Sequence, residues 1–298
     1  MKTKKYIALL LILSVFSFVL SCESMGDVMQ VGAAIAQDAG VPGAHLIAAY
    51  AKAFEDITPE QEYYIGRAVR ANVLGVYKLQ TNRPAMTTYI NKICNTLIIN
   101  SSRPEIYNGY HAGILDTDEI NAFATPGGHI FITRGLINCT TSEDTLASVI
   151  AHEIAHIQLQ HGLKAIKSGR RAEAFSSTLS YAAEVKAGDS RFGEVVGTFS
   201  DGVGEIVTNM MTKGYSRTQE FEADAEAMNL LSLAGYNPSS LLDMLRVLEQ
   251  KQSGHPGGFN STHPTPAQRI ENARNNAGKY NVQDTSSYRD SRYRSAVM

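Results

Sequence analysis

The chain has 298 residues, 44% apolar and 19% charged, with a formal net charge of −2 and a pI near 6.5. That length allows one large domain or two small ones, and the composition supports a sizeable core and excludes wholesale disorder. The balance of charge gives no basic footprint for nucleic acid and no acidic block of the kind that forms a solvating tail.

Lys2, Lys4 and Lys5 precede an apolar run from Tyr6 to Leu20. The run is short for a bilayer span and has the length of a signal-peptide hydrophobic region. It stops at Val19-Leu20-Ser21-Cys22, which resembles a bacterial lipoprotein signal, so residues 1–21 are expected to be removed and Cys22 to carry lipid. An uncleaved anchor helix and an ordinary secretion signal are the alternatives, and all three place the body of the protein outside the cytoplasm. With Cys22 lipidated, Cys94 and Cys139 remain, either as one disulfide or as free thiols among apolar neighbours. They lack the close spacing of a cysteine zinc site.

Residues 22–57, rich in Ala and Gly, read as a tether followed by a helix. Thr58-Pro59-Glu60-Gln61-Glu62 is a helix start, with a capping hydroxyl, a proline in the first turn and acids near the positive end of the dipole. The folded domain is expected to run from 58 to 277, opening with helices over Glu60–Leu79 and Arg83–Asn100. In the second of these, Met86, Ile90, Ile93 and Leu97 share one face. Tyr110–Leu115 and His129–Thr133 read as strands, with Ile120–Ala124 a short extended run between turns. An extended segment beside a metal site can bind a peptide as an added strand, and an ordinary edge strand is the alternative. His111 and His129 have no metal-ligand spacing and read as structural or surface residues.

The most informative stretch is Val149 to His161, which contains His152-Glu153-Ile154-Ala155-His156. In a helix, residues four apart share a face, so His152 and His156 can aim their imidazoles at one ion while Glu153 flanks it. The apolar spacing of Leu146, Val149, Ile150, Ile154 and Ile157 predicts a buried helix, and a core does not hold His, Glu and His without partners. Ser142 caps this helix and Gly162 is expected to end it. His161, about 140° round from His156 on a continued helix, should point away from the metal. Residues 164–213 read as two weakly amphipathic helices, too polar to span a membrane.

A second helical stretch opens at Tyr215-Ser216-Arg217 and runs to Leu233. Glu220 and Asp224 share a face and Glu222 points the other way. Sites built on two histidines commonly take a glutamate from a second helix, and a second carboxylate can hold the free ring N–H of a ligand histidine. Two solvated acids on a surface helix are the alternative.

The pairing of H-E-I-A-H with E-F-E-A-D, preceded by N-A-F-A-T-P-G-G-H-I-F-I-T-R-G-L and Y-S-R, resembles the zinc metallopeptidase family of the HtpX, CAAX prenyl protease and BepA/LoiP type. The resemblance covers about Thr58 to Arg274. It implies one zinc ion on His152, His156 and Glu220, Glu153 as catalytic base, and Asp224 behind a ligand histidine. It also implies a substrate edge at Asn121, Ala122, Phe123 and Ala124. By the same resemblance His263, in Thr262-His263-Pro264, can occupy the open zinc position as a latch; a structural histidine before a helix starting near Pro266 is the alternative. Arg269 and Arg274 on that helix receive no role, and residues 278–298 read as a polar, disordered tail.

The expected fold is α+β: a mainly helical, zincin-like gluzincin domain with a small β-sheet beside the H-E-x-x-H helix. The expected function is a zinc endopeptidase of the bacterial cell envelope, periplasmic and lipid-anchored to the inner or outer membrane, acting on misfolded or unassembled polypeptides. Its expected partners are polypeptide substrates and the envelope assembly machinery, with no nucleic acid. A chaperone-like binding lipoprotein is the alternative, although a pure binder has no use for the general base Glu153.

Overall fold

The computed structural model describes residues 55–172, 214–252, 266–280 and 286–297, together with Ala34, Gln37, Ala53 and His263. The signal-like run, Cys22, most of the tether and the stretch 173–213 lie outside the described residues. The chain forms two compact units, residues 1–57 with 164–207 and residues 58–163 with 208–298. In the first, Lys167 Nζ pairs with Asp56 Oδ1 at 2.6 Å. The second carries every element numbered below.

Helix α1 (Pro59–Val76) starts at the expected cap. The Thr58 hydroxyl accepts from the Gln61 N–H at 3.1 Å and Gln61 Oε1 accepts from the Thr58 N–H at 2.9 Å, a reciprocal capping box. The helix ends before the expected Leu79 because the next residues pair with a strand. The Gln80 N–H donates to the Ile114 carbonyl and the Asp116 N–H to the Lys78 carbonyl, each at 2.8 Å. Helix α2 (Pro84–Ile98) buries Met86, Ile90, Ile93, Leu97 and Ile98 on the face its spacing indicates.

Strands β1 (His111–Leu115), β2 (Ala122–Ala124) and β3 (His129–Thr133) form a three-stranded sheet in the order β1-β3-β2. β1 runs parallel to β3, and β2 antiparallel to it with Phe123 opposite Phe131. Alternation divides β3: Ile130 and Ile132 enter the main core, while Phe131 packs with Val73 of α1 and Leu115. Helix α1 presses on the turn between β2 and β3 at Gly66, where a Cβ would lie 1.8 Å from the Pro126 carbonyl oxygen. Only glycine permits that approach.

A short helix α3 (Arg134–Ile137) leads to α4 (Glu143–Gln158), all of whose residues are buried. Ser142 caps it reciprocally with Thr145. Helix α5 (Arg217–Leu233), capped by Ser216 and Gln219, packs along α4 and is closed by Gly235 at φ +78°. Helices α6 (Ser240–Gln252) and α7 (Pro266–Ala277) complete the bundle. The main core joins Leu146, Ile150 and Ile154 of α4 to Leu230 and Leu231 of α5, Leu245 of α6 and Ile270 of α7. Cutting one such side chain to alanine costs about 2–5 kcal/mol. The result is the expected α+β architecture, mainly helical with a small sheet beside α4. No helix among the described residues is long and apolar enough to cross a membrane.

Two expectations need correction. The tail beyond Gly278 is not disordered throughout, because residues Ser286–Val297 form helix α8. Its sequence lacks a continuous apolar face, and charge pairs dock it together with the buried Tyr293 ring. Arg289 grips Asp144 at 2.5 and 3.0 Å, and Arg292 pairs with Glu143. Glu143 also accepts from the hydroxyls of Tyr89 and Tyr236, and the Tyr293 hydroxyl donates to the Thr140 carbonyl at 2.8 Å. Secondly, Gly162 does not end α4. The helix stops at Gln158, and Gln160 turns the chain with φ 56°. Cys94, buried, and Cys139, half-buried, are both free thiols.

Candidate metal centre

Helix α4 presents His152 and His156 one turn apart on its inner face, with their Nε2 atoms 3.1 Å from each other. Helix α5 lays Glu220 across them, with Oε2 3.4 Å from His152 Nε2 and Oε1 3.4 Å from His156 Nε2. His263 closes the group, its Nδ1 2.8 Å from both Glu220 oxygens. All four side chains are buried, and one potential ligand atom from each lies within 4.8 Å of the others.

These atoms fit a metal ion. Zinc bonds of about 2.0–2.1 Å in a tetrahedron separate neighbouring ligand atoms by about 3.3–3.4 Å, and the separations of His152 and His156 from Glu220 match that spacing. The far side of each imidazole agrees. His152 Nδ1 is 3.1 Å from Asp224 Oδ1, and His156 Nδ1 is 2.9 Å from His161 Nδ1. With each Nδ1–H donated backwards, both Nε2 atoms are left facing each other and the Glu220 carboxylate, free to bind an ion once deprotonated. In that form the donors repel one another until a cation sits between them.

The electrostatics agree with the geometry. Burial works to raise the Glu220 pKa, but His263, His152 and His156 hold it well below the usual carboxylate range. Burial raises Asp224 too, and Arg269 with His152 overcomes it, so that group is also lowered. Burial and Arg269 oppose a charge on His152, yet Asp224 and Glu220 outweigh them and its pKa rises to about 9. At His156 burial prevails over Glu220 and the pKa falls to about 3. The two carboxylates favour positive charge in this pocket, which suits a cation among the four donors.

Glu153 stands beside this group, buried, with Oε1 lacking a hydrogen-bond partner among the described residues. Burial raises its pKa against the pull of His263 and His152. It lines a small cavity with Ala122, Phe123 and Ala124 of β2, Tyr215 and His263. Asn121 sits at the end of that strand with its side chain turned back, Oδ1 accepting from the Ala122 N–H at 2.9 Å and Nδ2 donating to Glu119.

Three residues emerge that the sequence reading left without a role. Arg269 is 1% exposed and grips Asp224 through Nε at 2.9 Å and Nη2 at 2.6 Å, while Nη1 lies 3.4 Å from Glu220. A signal for it was available in charge balance: Glu153, Glu220 and Asp224 carry three negative charges, one more than a divalent ion neutralises. His161 is placed behind His156, with Nδ1 2.9 Å from His156 Nδ1 and Nε2 3.2 Å from Glu222 Oε2. Glu222 therefore holds the back of the site at one remove. Tyr215 stacks on His156, ring centroids 4.1 Å apart. His111 is exposed and His129 buried, both away from the donor cluster, and Arg274 is exposed.

A buried H-E-x-x-H helix facing a glutamate from a second helix, beside a small sheet, defines the zinc metallopeptidase class. Residues 84–277 match Peptidase family M48, and the chain belongs to that family of zinc metallopeptidases. It is 30% identical over 206 residues to the beta-barrel assembly-enhancing protease of Escherichia coli, covering 66% of this chain and 40% of that protein. The Yersinia pestis protein of the same name is 28% identical over 237 residues, 77% of this chain and 45% of the relative. The mitochondrial metalloendopeptidase OMA1 of Schizosaccharomyces pombe is 25% identical over 221 residues, 73% of this chain and 61% of the relative. The chain thus spans less than half the length of the two bacterial relatives.

Proposed function

We propose that this chain is a periplasmic zinc endopeptidase, lipid-anchored through Cys22, that cleaves misfolded or unassembled envelope polypeptides. His152, His156 and Glu220 would hold the ion, and His263 would fill the fourth position as a latch at rest. Bound zinc supplies the Lewis acidity that polarises a peptide carbonyl and acidifies water. Glu153 takes the water proton on its carboxylate and passes it to the leaving amine, a role suited by the raised pKa that burial gives it. Asp224 and His161 fix the ring orientations of His152 and His156 from behind, and Arg269 balances the charge of Asp224 and Glu220. The outward peptide groups of β2 bind an extended chain through backbone hydrogen bonds that do not depend on its sequence.

One observation carries this reading. Ala122, Phe123 and Ala124 of β2 line the same cavity as Glu153 and His263. An extended polypeptide laid along the edge of that strand brings its peptide bonds to the general base. The name of the two bacterial relatives, with its reference to β-barrel assembly, supports a connection with the envelope assembly machinery.

Glu153→Gln tests the mechanism. Zinc content should stay at the wild-type level while cleavage of an unfolded test protein falls by about 10²–10⁴-fold. Cleavage at the wild-type rate would refute the assignment of the base.

A further inference from the structure

Helix α1 borders two cavities with different faces. Val69 and Val73 line the one beside Glu153, whereas Tyr63, Arg67 and Arg70 line a separate cleft of about 690 Å³ over β1. That volume is in the range of small-molecule sites. Leu79, Ile114 and Phe131 give it an apolar lining, and Arg67 and Arg70 give it positive charge beside the rings of His111 and His129.

The positive charge is uncompensated. No acidic side chain lines the cleft, and neither arginine has an acidic partner within 4.0 Å among the described residues. Arg67 instead lies over the Tyr63 ring, 5.8 Å from its centroid. The rings of His111 and His129 stand 6.1 Å apart at the head of the paired strands. Burial depresses the His129 pKa to about 4, and Arg70, His111 and Arg67 push in the same direction. A second observation points independently to a ligand. Gln80 is 9% exposed, lines the cleft, and buries an Oε1 with no hydrogen-bond partner. An unmet buried amide oxygen costs about 1–3 kcal/mol and is met by a donor such as the hydroxyl of a singly protonated phosphate, while rotation of the amide puts the N–H donors of Nε2 in its place for an anionic oxygen.

We propose that this cleft is a binding site for a small organic anion, a carboxylate or phosphate held by Arg67, Arg70 and Gln80 with an apolar body over Leu79, Ile114 and Phe131. Arginine suits either head group because its planar fork meets two oxygens at once. The site is separate from the metal centre and does not depend on proteolysis.

The test is an NMR titration of the full chain carrying labelled histidine, at constant ionic strength, with benzoate, phenyl phosphate and inorganic phosphate as separate probes. Benzoate or phenyl phosphate should shift the His111 and His129 ring signals saturably with Kd below about 1 mM. Whichever binds more tightly names the head group, and inorganic phosphate should bind more weakly than phenyl phosphate for want of an apolar body. The double variant Arg67→Gln/Arg70→Gln, at two exposed positions, should melt as the wild type does and bind at least about ten-fold more weakly. Absence of saturable shifts with both aromatic probes would overturn the proposal. So would equal affinity in the double variant.

Discussion

At the β1 edge of the sheet the outward peptide group of Ala112 is fully engaged. Asn91 Oδ1 accepts from its N–H at 3.1 Å and Asn91 Nδ2 donates to its carbonyl at 2.9 Å. Further along, the Ile114 carbonyl accepts from the Gln80 N–H. At the β2 edge the register that pairs Phe123 with Phe131 turns the peptide groups of Ala122 and Ala124 outwards. There Asn121 takes the Ala122 N–H, while the Ala124 N–H and the carbonyls of Ala122 and Ala124 have no partner among the described residues. An open edge is a template for pairing with any extended chain, a hazard in most folds. Among the described residues the fold closes the β1 edge and leaves open the β2 edge, the one beside Glu153.

Breaking the open edge should have the larger effect. Ala124→Pro removes an outward N–H without touching a bond to β3, and proline is tolerated on edge strands. It should lower kcat/KM for an unfolded protein at least about ten-fold, equivalent to one lost hydrogen bond of about 1.5 kcal/mol, with zinc content retained. Unchanged kcat/KM would remove β2 from substrate binding. Breaking the closed edge should act on stability instead. Asn91→Ala leaves the Ala112 peptide group unpaired, a cost of about 1–3 kcal/mol, or about 2–4 °C in Tm for each kcal/mol. Thermal melts and specific activity at 25 °C should separate the two: Tm falls and activity per folded molecule does not.

The smallest effect is on pH dependence, at the strand between the two edges. His129 is buried, its Nδ1 3.3 Å from Thr125 Oγ1, and its pKa is lowered to about 4 from an ordinary value of 6.5. Between those values the unfolded chain binds more protons than the folded one. The stability contributed by neutral His129 is therefore fully present above about pH 6.5 and is lost as pH falls toward 4. The drop in Tm across that window should be smaller in His129→Gln than in the wild type, and equal drops would show that His129 does not titrate in the fold.

The caps and periodicities were legible from the start. Thr58, Ser142 and Ser216 each announce a helix that forms, and the apolar spacing of α4 anticipates its burial. The pairing of His152 with His156 was legible from helical spacing, whereas spacing left Glu220 and Asp224 equally readable as solvated surface acids and only the family resemblance singled out Glu220 as a ligand. What escaped depended on tertiary geometry. The angular argument for His161 assumed a continuous helix, whereas the left-handed turn at Gln160 carries the ring back behind His156. Arg269 received no role because nothing local shows that its helix docks against Asp224. Helix α8 has no apolar stripe to read, since its arginines dock on Glu143 and Asp144, acids that sequence alone explains as first-turn charges of α4.

The central claim is that zinc rests on His152, His156 and one carboxylate of the α5 pair, with Glu220 as ligand and Glu222 one step behind through His161. Zinc content of the purified chain, measured for wild type, Glu220→Gln and Glu222→Gln, tests it directly. Stoichiometric zinc in the wild type and Glu222→Gln, with loss in Glu220→Gln alone, is the expected result. Full zinc retained by Glu220→Gln, or lost only in Glu222→Gln, would contradict it.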